Sequence, residues 1–202
     1  MARKSGSHAE ITGPRIRRAA LSLFARYGYA AVSMRQIAAE VGVQAGALYL
    51  YVADKQALLF ELMDAHMDSL MAAWEAVPKP NAPADRLRTF TDFHIAHHLE
   101  RPDDLLLAYW ELRSLTPDNH KAIAAKRRAY EAELEAILRA GHAEGVFRVP
   151  EARITAMAII PMLNGCVGWY RSDGRLSVAD VQVLYGRLVH GMVAPDPVPA
   201  PV

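Results

Sequence analysis

Cysteine is nearly absent: Cys166 is the only one in 202 residues, which excludes an internal disulfide framework. No run of 18 uncharged apolar residues occurs, so no membrane-spanning helix is expected. The first ten residues, MARKSGSHAE, lack the apolar core of a secretory leader, and cytoplasmic residence is the expectation. No stretch alternates apolar and polar residues as a half-buried strand does, although 52% of the residues are hydrophobic. An all-α chain with sizeable buried cores follows. Nucleophile elbow, Walker loop, dinucleotide fingerprint and zinc-protease pair are all missing as well. Glu111, Asp104 and the histidines have acid or base chemistry but no motif around them, so neither an enzyme, a cofactor nor a metal centre is expected.

What is present is concentrated in residues 31–62, AVSMRQIAAEVGVQAGALYLYVADKQALLFEL. Ser33 followed three residues later by Gln36 is a capping box, so a helix begins at Met34. Met34, Ile37, Ala38 and Val41 recur at helical spacing, and Gly42 offers the left-handed residue that closes a helix after about two turns. Val43 returns to the core at once, and Ala45 to Leu50 form a second short helix with Leu48 inward. Asp54 caps a third helix carrying Ala57, Leu58 and Leu62, with Lys55 in its first turn. Neither short helix is stable alone in water, where helices below ~12 residues are marginal. Two short helices joined by a tight glycine turn and backed by others form a helix-turn-helix DNA reader.

Upstream, Thr12, Gly13 and Pro14 signal a helix start, and Ile16, Ala20, Leu23, Phe24 and Tyr27 supply its apolar face up to Gly28. Charge is skewed in the same sense. Residues 1–55 hold 8 Lys+Arg against 3 Asp+Glu, a net +5, and residues 56–202 hold 15 against 19, a net −4. The overall +1 thus conceals a basic head, as expected where one module meets a polyanion and the rest stays off it.

The stretch IAAEVGVQAGALYLYVADKQALL resembles the amino-terminal module of the TetR family of transcriptional repressors: Ile-Ala, a Gly-Val turn, Gly-x-Leu-Tyr, then Lys and a Leu pair. On that likeness Ile37, Ala38, Gly42, Val43, Leu48 and Leu58 are scaffold, while Tyr49 and Lys55 match residues that touch phosphates. Val52 and Ala53 depart from the family's usual Phe and Pro, and Ala47 from its frequent Thr or Ser. The expected docking places Ser33, Arg35, Tyr49 and Lys55 on the DNA backbone. Gln44 is set to read adenine and Ala45 to meet thymine methyls, with Tyr51 as a further hydrogen-bonding side chain.

Breaks at Pro78–Pro83, Arg101-Pro102, Thr116-Pro117, Gly145–Pro150 and Ser172–Gly174 divide the remainder into six helices, roughly 54–76, 85–99, 103–114, 118–143, 151–170 and 177–192. With three in the head this makes nine, the number typical of the family. The expected organisation is a helix-turn-helix domain over 1–53, of which 1–10 is a disordered arm. A six-helix ligand-binding and dimerising bundle follows over 54–194, then a disordered proline-rich tail over 195–202. Met157, Ile160, Leu163, Gly165, Val167 and Gly168 make one late helix apolar or small, and Val181, Leu184, Leu188 and Val189 stripe the last. Such helices from two subunits build a four-helix interface, and a two-fold dimer matches a pseudopalindromic duplex operator.

Pro161 interrupts the helix before LNGCVGWYRSDGRLSVAD and should bend it. This segment, together with 109–148, resembles acyl-CoA-responsive members of the family that control fatty-acid, aromatic-acid or steroid degradation. The likeness implies an acyl-CoA effector, with Arg113, Trp169 and Arg171 at the coenzyme and Met63, Met67, Trp110 and Met162 along the acyl chain. The rival is a multidrug-type repressor of an efflux pump, whose pocket takes aromatic or cationic drugs. His94, His97 and His98 share one helix surface, but no carboxylate or cysteine cluster accompanies them, and the spacing reads as a solvated face.

Overall fold

The computed structural model describes residues 6–195, with side chains from Thr12 onward, and all regular structure among them is helical. The helices are α1 (Gly6–Tyr27), α2 (Met34–Val41), α3 (Ala45–Leu48), α4 (Lys55–Ala76), α5 (Pro83–Glu100) and α6 (Pro102–Trp110). After a 3₁₀ turn at Leu112–Ser114 come α7 (Pro117–Ala143), α8 (Ala152–Asn164), α9 (Cys166–Trp169) and α10 (Val178–Val193). The all-α class is as the residue pattern requires, and the expected helix over 151–170 is divided at Gly165 into α8 and α9.

The first helix starts earlier than expected, and α3 ends at Leu48, short of the expected Leu50. Helix α1 begins at Gly6, so residues 6–10 of the expected disordered arm are helical, and Pro14 lies inside the helix instead of starting it. A proline there forfeits one backbone donor, which costs least on a solvent-facing side, and Pro14 is exposed. Residues 1–5 of that arm and 196–202 of the expected tail lie outside the described residues. Tyr27, expected on the apolar face of α1, is exposed, with the Arg26 guanidinium 5.1 Å from its ring centre.

The chain divides into two compact units. The first joins the residues up to Ser69 with Pro102–Ala124, so that α6, the 3₁₀ turn and the start of α7 group with the head helices. Its core is Ile16, Ala20 and Phe24 of α1, Ile37, Ala38 and Val41 of α2, Leu48 of α3, Leu58 and Leu59 of α4, and Leu107 and Ala108 of α6. Helix α6 packs along α1, which is why a segment distant in sequence belongs to the same body as the reader.

The second unit holds Leu70–Arg101 and the residues from Ala125 onward. Trp74, Phe90, Leu134, Leu138, Ile159, Leu163 and Val181 fill its core. Trp74 meets the Phe90 ring edge to face, with centroids 5.1 Å apart, and donates its indole N–H to Glu133 at 3.1 Å. Helix α10 lies against α5. At the end of α7 a Cβ on Gly141 would stand 2.0 Å from the buried Phe147 ring, so only glycine admits that ring. Gly141→Ala is therefore expected to cost about 2–3 kcal/mol by overpacking, read as a Tm lower by several degrees. A melting temperature equal to that of the parent protein would contradict this account of the Phe147 seat.

Candidate nucleic-acid interface and effector region

The reader is built from short-range chemistry. Ser33 caps α2: its hydroxyl accepts the Gln36 N–H at 3.3 Å and donates to Gln36 Oε1 at 2.9 Å, while Gln36 Oε1 also accepts the Ser33 N–H at 2.7 Å. At the other end Gly42 adopts φ 77° and ψ 34°, its N–H reaching the Ala39 carbonyl and that of Val43 the Ala38 carbonyl. This double closure turns the chain sharply and gives the Ala38 and Ala39 carbonyls of the last turn their donors. Arg15 of α1 adds a third support, donating to the Val41 carbonyl at 2.8 Å, and Arg17 pairs with Glu61 of α4 at 2.8 Å. Two of the basic head's arginines thus serve its internal structure.

Helix α3 is a single turn with Leu48 wholly buried beneath it. Gln44 stands at its N-cap in extended backbone, and its side chain makes no capping hydrogen bond, so both amide groups are available outward. Arg35, Gln44 and Tyr49 are exposed, and Ala45 and Tyr51 half-buried. Ser33 is exposed too, yet its hydroxyl proton is committed to Gln36. Leu50, which lies in the turn after α3 and which the sequence pattern does not single out, is 82% exposed beside Tyr49.

Lys55, in the first turn of α4, is half-buried. Its ammonium lies 4.1 Å from the centre of the Tyr29 ring and 6.0 Å from that of Phe24. Burial lowers its pKa, an effect the nearby Glu111 carboxylate partly offsets.

The residues expected at the effector fall into both units. In the first, Met63 and Met67 are buried on α4, Trp110 is 63% exposed and set edge-on to Tyr109, and Arg113 is exposed in the 3₁₀ turn. In the second, Met162 is half-buried on α8, Trp169 stacks on Tyr185 and donates its N–H to the Tyr185 hydroxyl at 3.1 Å, and Arg171 donates to the Tyr170 carbonyl at 2.8 Å. A cleft of about 590 Å³ between α5 and α10, lined among others by Leu87, Thr91, Asp92 and Val189, includes none of these seven.

The histidine row of α5 corrects the sequence reading outright. His94, His97 and His98 are all buried, not on a solvated face. His94 bridges Tyr130 Oη at 3.0 Å and Asn164 Oδ1 at 2.9 Å through its two ring nitrogens, and stacks on Phe90 and Tyr130. A neutral imidazole with both nitrogens partnered can be buried cheaply, which helical spacing cannot reveal. Desolvation brings the pKa of His94 down to about 4. Among the described residues no group of three or more side chains is arranged to hold a metal ion, and no helix is long and apolar enough to cross a membrane.

The apolar stripe expected on the late helices separates into two rows. Ile160, Leu163, Val167, Val181 and Val189 face their own unit's core, whereas Met157, Leu184 and Leu188 are exposed, joined by Ile154, Val183 and Met192. Helix α10 is thus apolar on two adjacent faces, of which one lacks cover among the described residues.

Residues 16–62 match the family model of bacterial regulatory proteins of the tetR family, and residues 80–193 that of the tetracyclin repressor-like C-terminal domain. No curated protein matches the chain. Among solved structures it is similar to a bacterial regulatory protein in the tetR family from Rhodococcus RHA1, with 29% identity, 91% of this chain and 97% of that one covered, and a TM-score of 0.85. It is similar also to the TetR family transcriptional regulator PfmR from Thermus thermophilus, with 31% identity, 87% and 96% covered, and a TM-score of 0.78. AibR, solved in complex with isovaleryl coenzyme A and operator DNA, shares the fold at 24% identity, with 89% and 97% covered and a TM-score of 0.80. The reader geometry and these likenesses over both parts of the chain lead to one conclusion: it belongs to the TetR family of DNA-binding transcriptional regulators.

Proposed function

We propose that this regulator is a homodimeric repressor that holds a pseudopalindromic operator and is released from it by an acyl-CoA thioester. The observation that carries DNA recognition is α3 itself, one turn pinned by Leu48 below and capped α2 behind, with Arg35, Gln44, Tyr49 and Leu50 left facing solvent. Arg35 and Tyr49 suit backbone phosphates, the free amide of Gln44 suits an adenine edge, and Ala45 and Leu50 suit thymine methyls. With so few base-reading groups, one head gives little affinity, and two heads about one DNA turn apart supply the rest.

Dimerisation is supported by the uncovered apolar row of Leu184, Leu188 and Met192 on α10 and of Ile154 and Met157 on α8. The effector assignment is supported by the fold shared with AibR, whose complex holds isovaleryl coenzyme A. It is supported also by aromatic and cationic groups of the kind a nucleotide needs within the second unit: Trp169 against Tyr185, and the exposed guanidinium group of Arg171. Effector and operator then oppose one another through differential affinity for two arrangements of the dimer.

The test is an operator titration with and without acyl-CoAs of short and long chain, their free acids, and cationic drugs. Acyl-CoAs are expected to weaken operator binding and to raise the melting temperature, free acids and drugs to do neither. Tyr49→Phe should weaken binding to every duplex, and Gln44→Ala should relax base preference. Release by drugs alone would assign the protein to an efflux-type response, and operator affinity constant at saturating acyl-CoA would refute the thioester reading.

A further inference from the structure

Tyr29, in the turn between α1 and α2, is held from three sides by residues far from it in sequence. Its backbone N–H donates to Glu111 Oε1 at 3.0 Å, its hydroxyl accepts Gln56 Nε2 at 3.1 Å, and its ring face carries the Lys55 ammonium at 4.1 Å. The holding groups are themselves fixed. Glu111 Oε2 accepts the Ser114 hydroxyl at 2.6 Å. Gln56 spends its remaining capacity on the 3₁₀ turn, donating to the Ser114 carbonyl and accepting the Thr116 N–H at 3.3 Å. Gly28, at φ 82°, brings the chain to this point in a conformation that side chains rarely adopt, and a Cβ there would stand 3.4 Å from Glu111 Oε1. All these residues belong to the first unit, so the clasp joins the root of the DNA reader to the 111–116 segment.

We propose that Glu111, Gln56 and Lys55 are positioning residues for DNA binding: they clamp Tyr29 and thereby set the attitude in which α2 and α3 meet the groove, and Lys55 serves this clasp instead of a phosphate. Glu111 is the informative member because the two explanations of its presence predict opposite signs. A carboxylate on a basic head repels DNA, so if Glu111 were only a surface charge its removal would tighten binding. As the acceptor that holds the reader's root, its removal loosens the presented face and weakens binding. Lys55 is equally diagnostic. A lysine neutralising one phosphate contributes about 0.9 to the slope of log affinity against log salt, whereas a lysine stacked on Tyr29 contributes nothing to it.

This inference rests on the reading of α2 and α3 as the DNA-contacting face, and the parent protein's own titration tests that reading first. Operator binding is measured across a salt series for the parent, Glu111→Ala, Glu111→Gln, Lys55→Gln and the Glu111→Ala/Lys55→Gln pair, with helicity and melting temperature recorded for each. We expect about tenfold weaker binding for Glu111→Ala, a smaller loss for Glu111→Gln, and an unchanged salt slope for Lys55→Gln. The double variant should lose less than the two single losses combined, since both substitutions open the same clasp. These effects should appear in variants that keep the parent's helicity. Tighter or unchanged binding by Glu111→Ala, or a slope lower by about one in Lys55→Gln, overturns the proposal. A parent protein that captures no duplex sinks the reading of the head instead.

Discussion

Leu188→Asp is expected to turn the proposed dimer into a monomer and to reduce operator affinity by at least about a hundredfold. Leu188 is 53% exposed on α10, in a row with Leu184 and Met192, while the same helix buries Val181, Val189 and Val193 in its own unit. A carboxylate at 188 therefore leaves the monomer's core untouched and places a charge where two apolar faces are proposed to meet. Burying an unpaired charge costs several kcal/mol, enough to abolish an association built on side chains of this size. The effect on DNA follows because the second head, no longer tethered to the first, must bind as a separate molecule, and effective concentrations in the millimolar range are lost. Sedimentation or light scattering measures the first effect, operator titration the second, and circular dichroism establishes that the helices persist. A variant that stays dimeric with parental affinity would remove α10 from the interface.

The second large effect is a loss of stability in mild acid, and it comes from His94. Its folded pKa of about 4 lies below the ordinary value of 6.5 that it regains on unfolding. Above pH 6.5 the ring is neutral in both states and contributes no pH dependence. Between 6.5 and 4 the unfolded chain takes up a proton that the folded chain refuses, so stability falls as pH falls, by up to about 1.4 kcal/mol per pH unit and about 3 kcal/mol across the window. His97 acts in the same direction: its pKa is lowered by burial and then by the Arg101 charge. Denaturant unfolding at pH 7, 5.5 and 4.5 should show the decline, and His94→Gln should flatten it. Equal stability from pH 7 to 4.5 would mean that the imidazole is not sealed between Tyr130, Asn164 and Phe90 as described.

These two effects illustrate what residue patterns reveal and what they hide. The reader was legible because its determinants are local: Ser33 and Gln36 are three residues apart, Gly42 closes the helix they open, and Leu48 is the one large apolar side chain that can turn inward on α3. Caps and left-handed glycines act over a single turn, so spacing alone identifies them. The histidines were misplaced for the opposite reason. His94 is buried because Tyr130 and Asn164, 36 and 70 residues away, satisfy its two nitrogens, and no window of local sequence contains that information. Lys55 was legible as a cation at a helix start but not as the ammonium over the Tyr29 ring, whose backbone N–H is held by Glu111, 82 residues away.

The apolar rows show the same division within one helix. Period and composition marked 181–189 as hydrophobic, yet they could not say which apolar side chains meet the chain's own α5 and which are left for something else, since both rows obey the helical repeat.

By itself, then, the amino-acid order determined the helical class, the capped turn that presents α3, and the basic character of the head, because capping, periodicity and net charge depend on near neighbours. Only the tertiary structure decided that residues 102–124 share a body with that head, that the α5 histidines are interior, and that Tyr29 is clamped from three sides. Each of those facts depends on contacts between segments distant along the chain, where burial and hydrogen-bond partners are settled by packing and not by propensity.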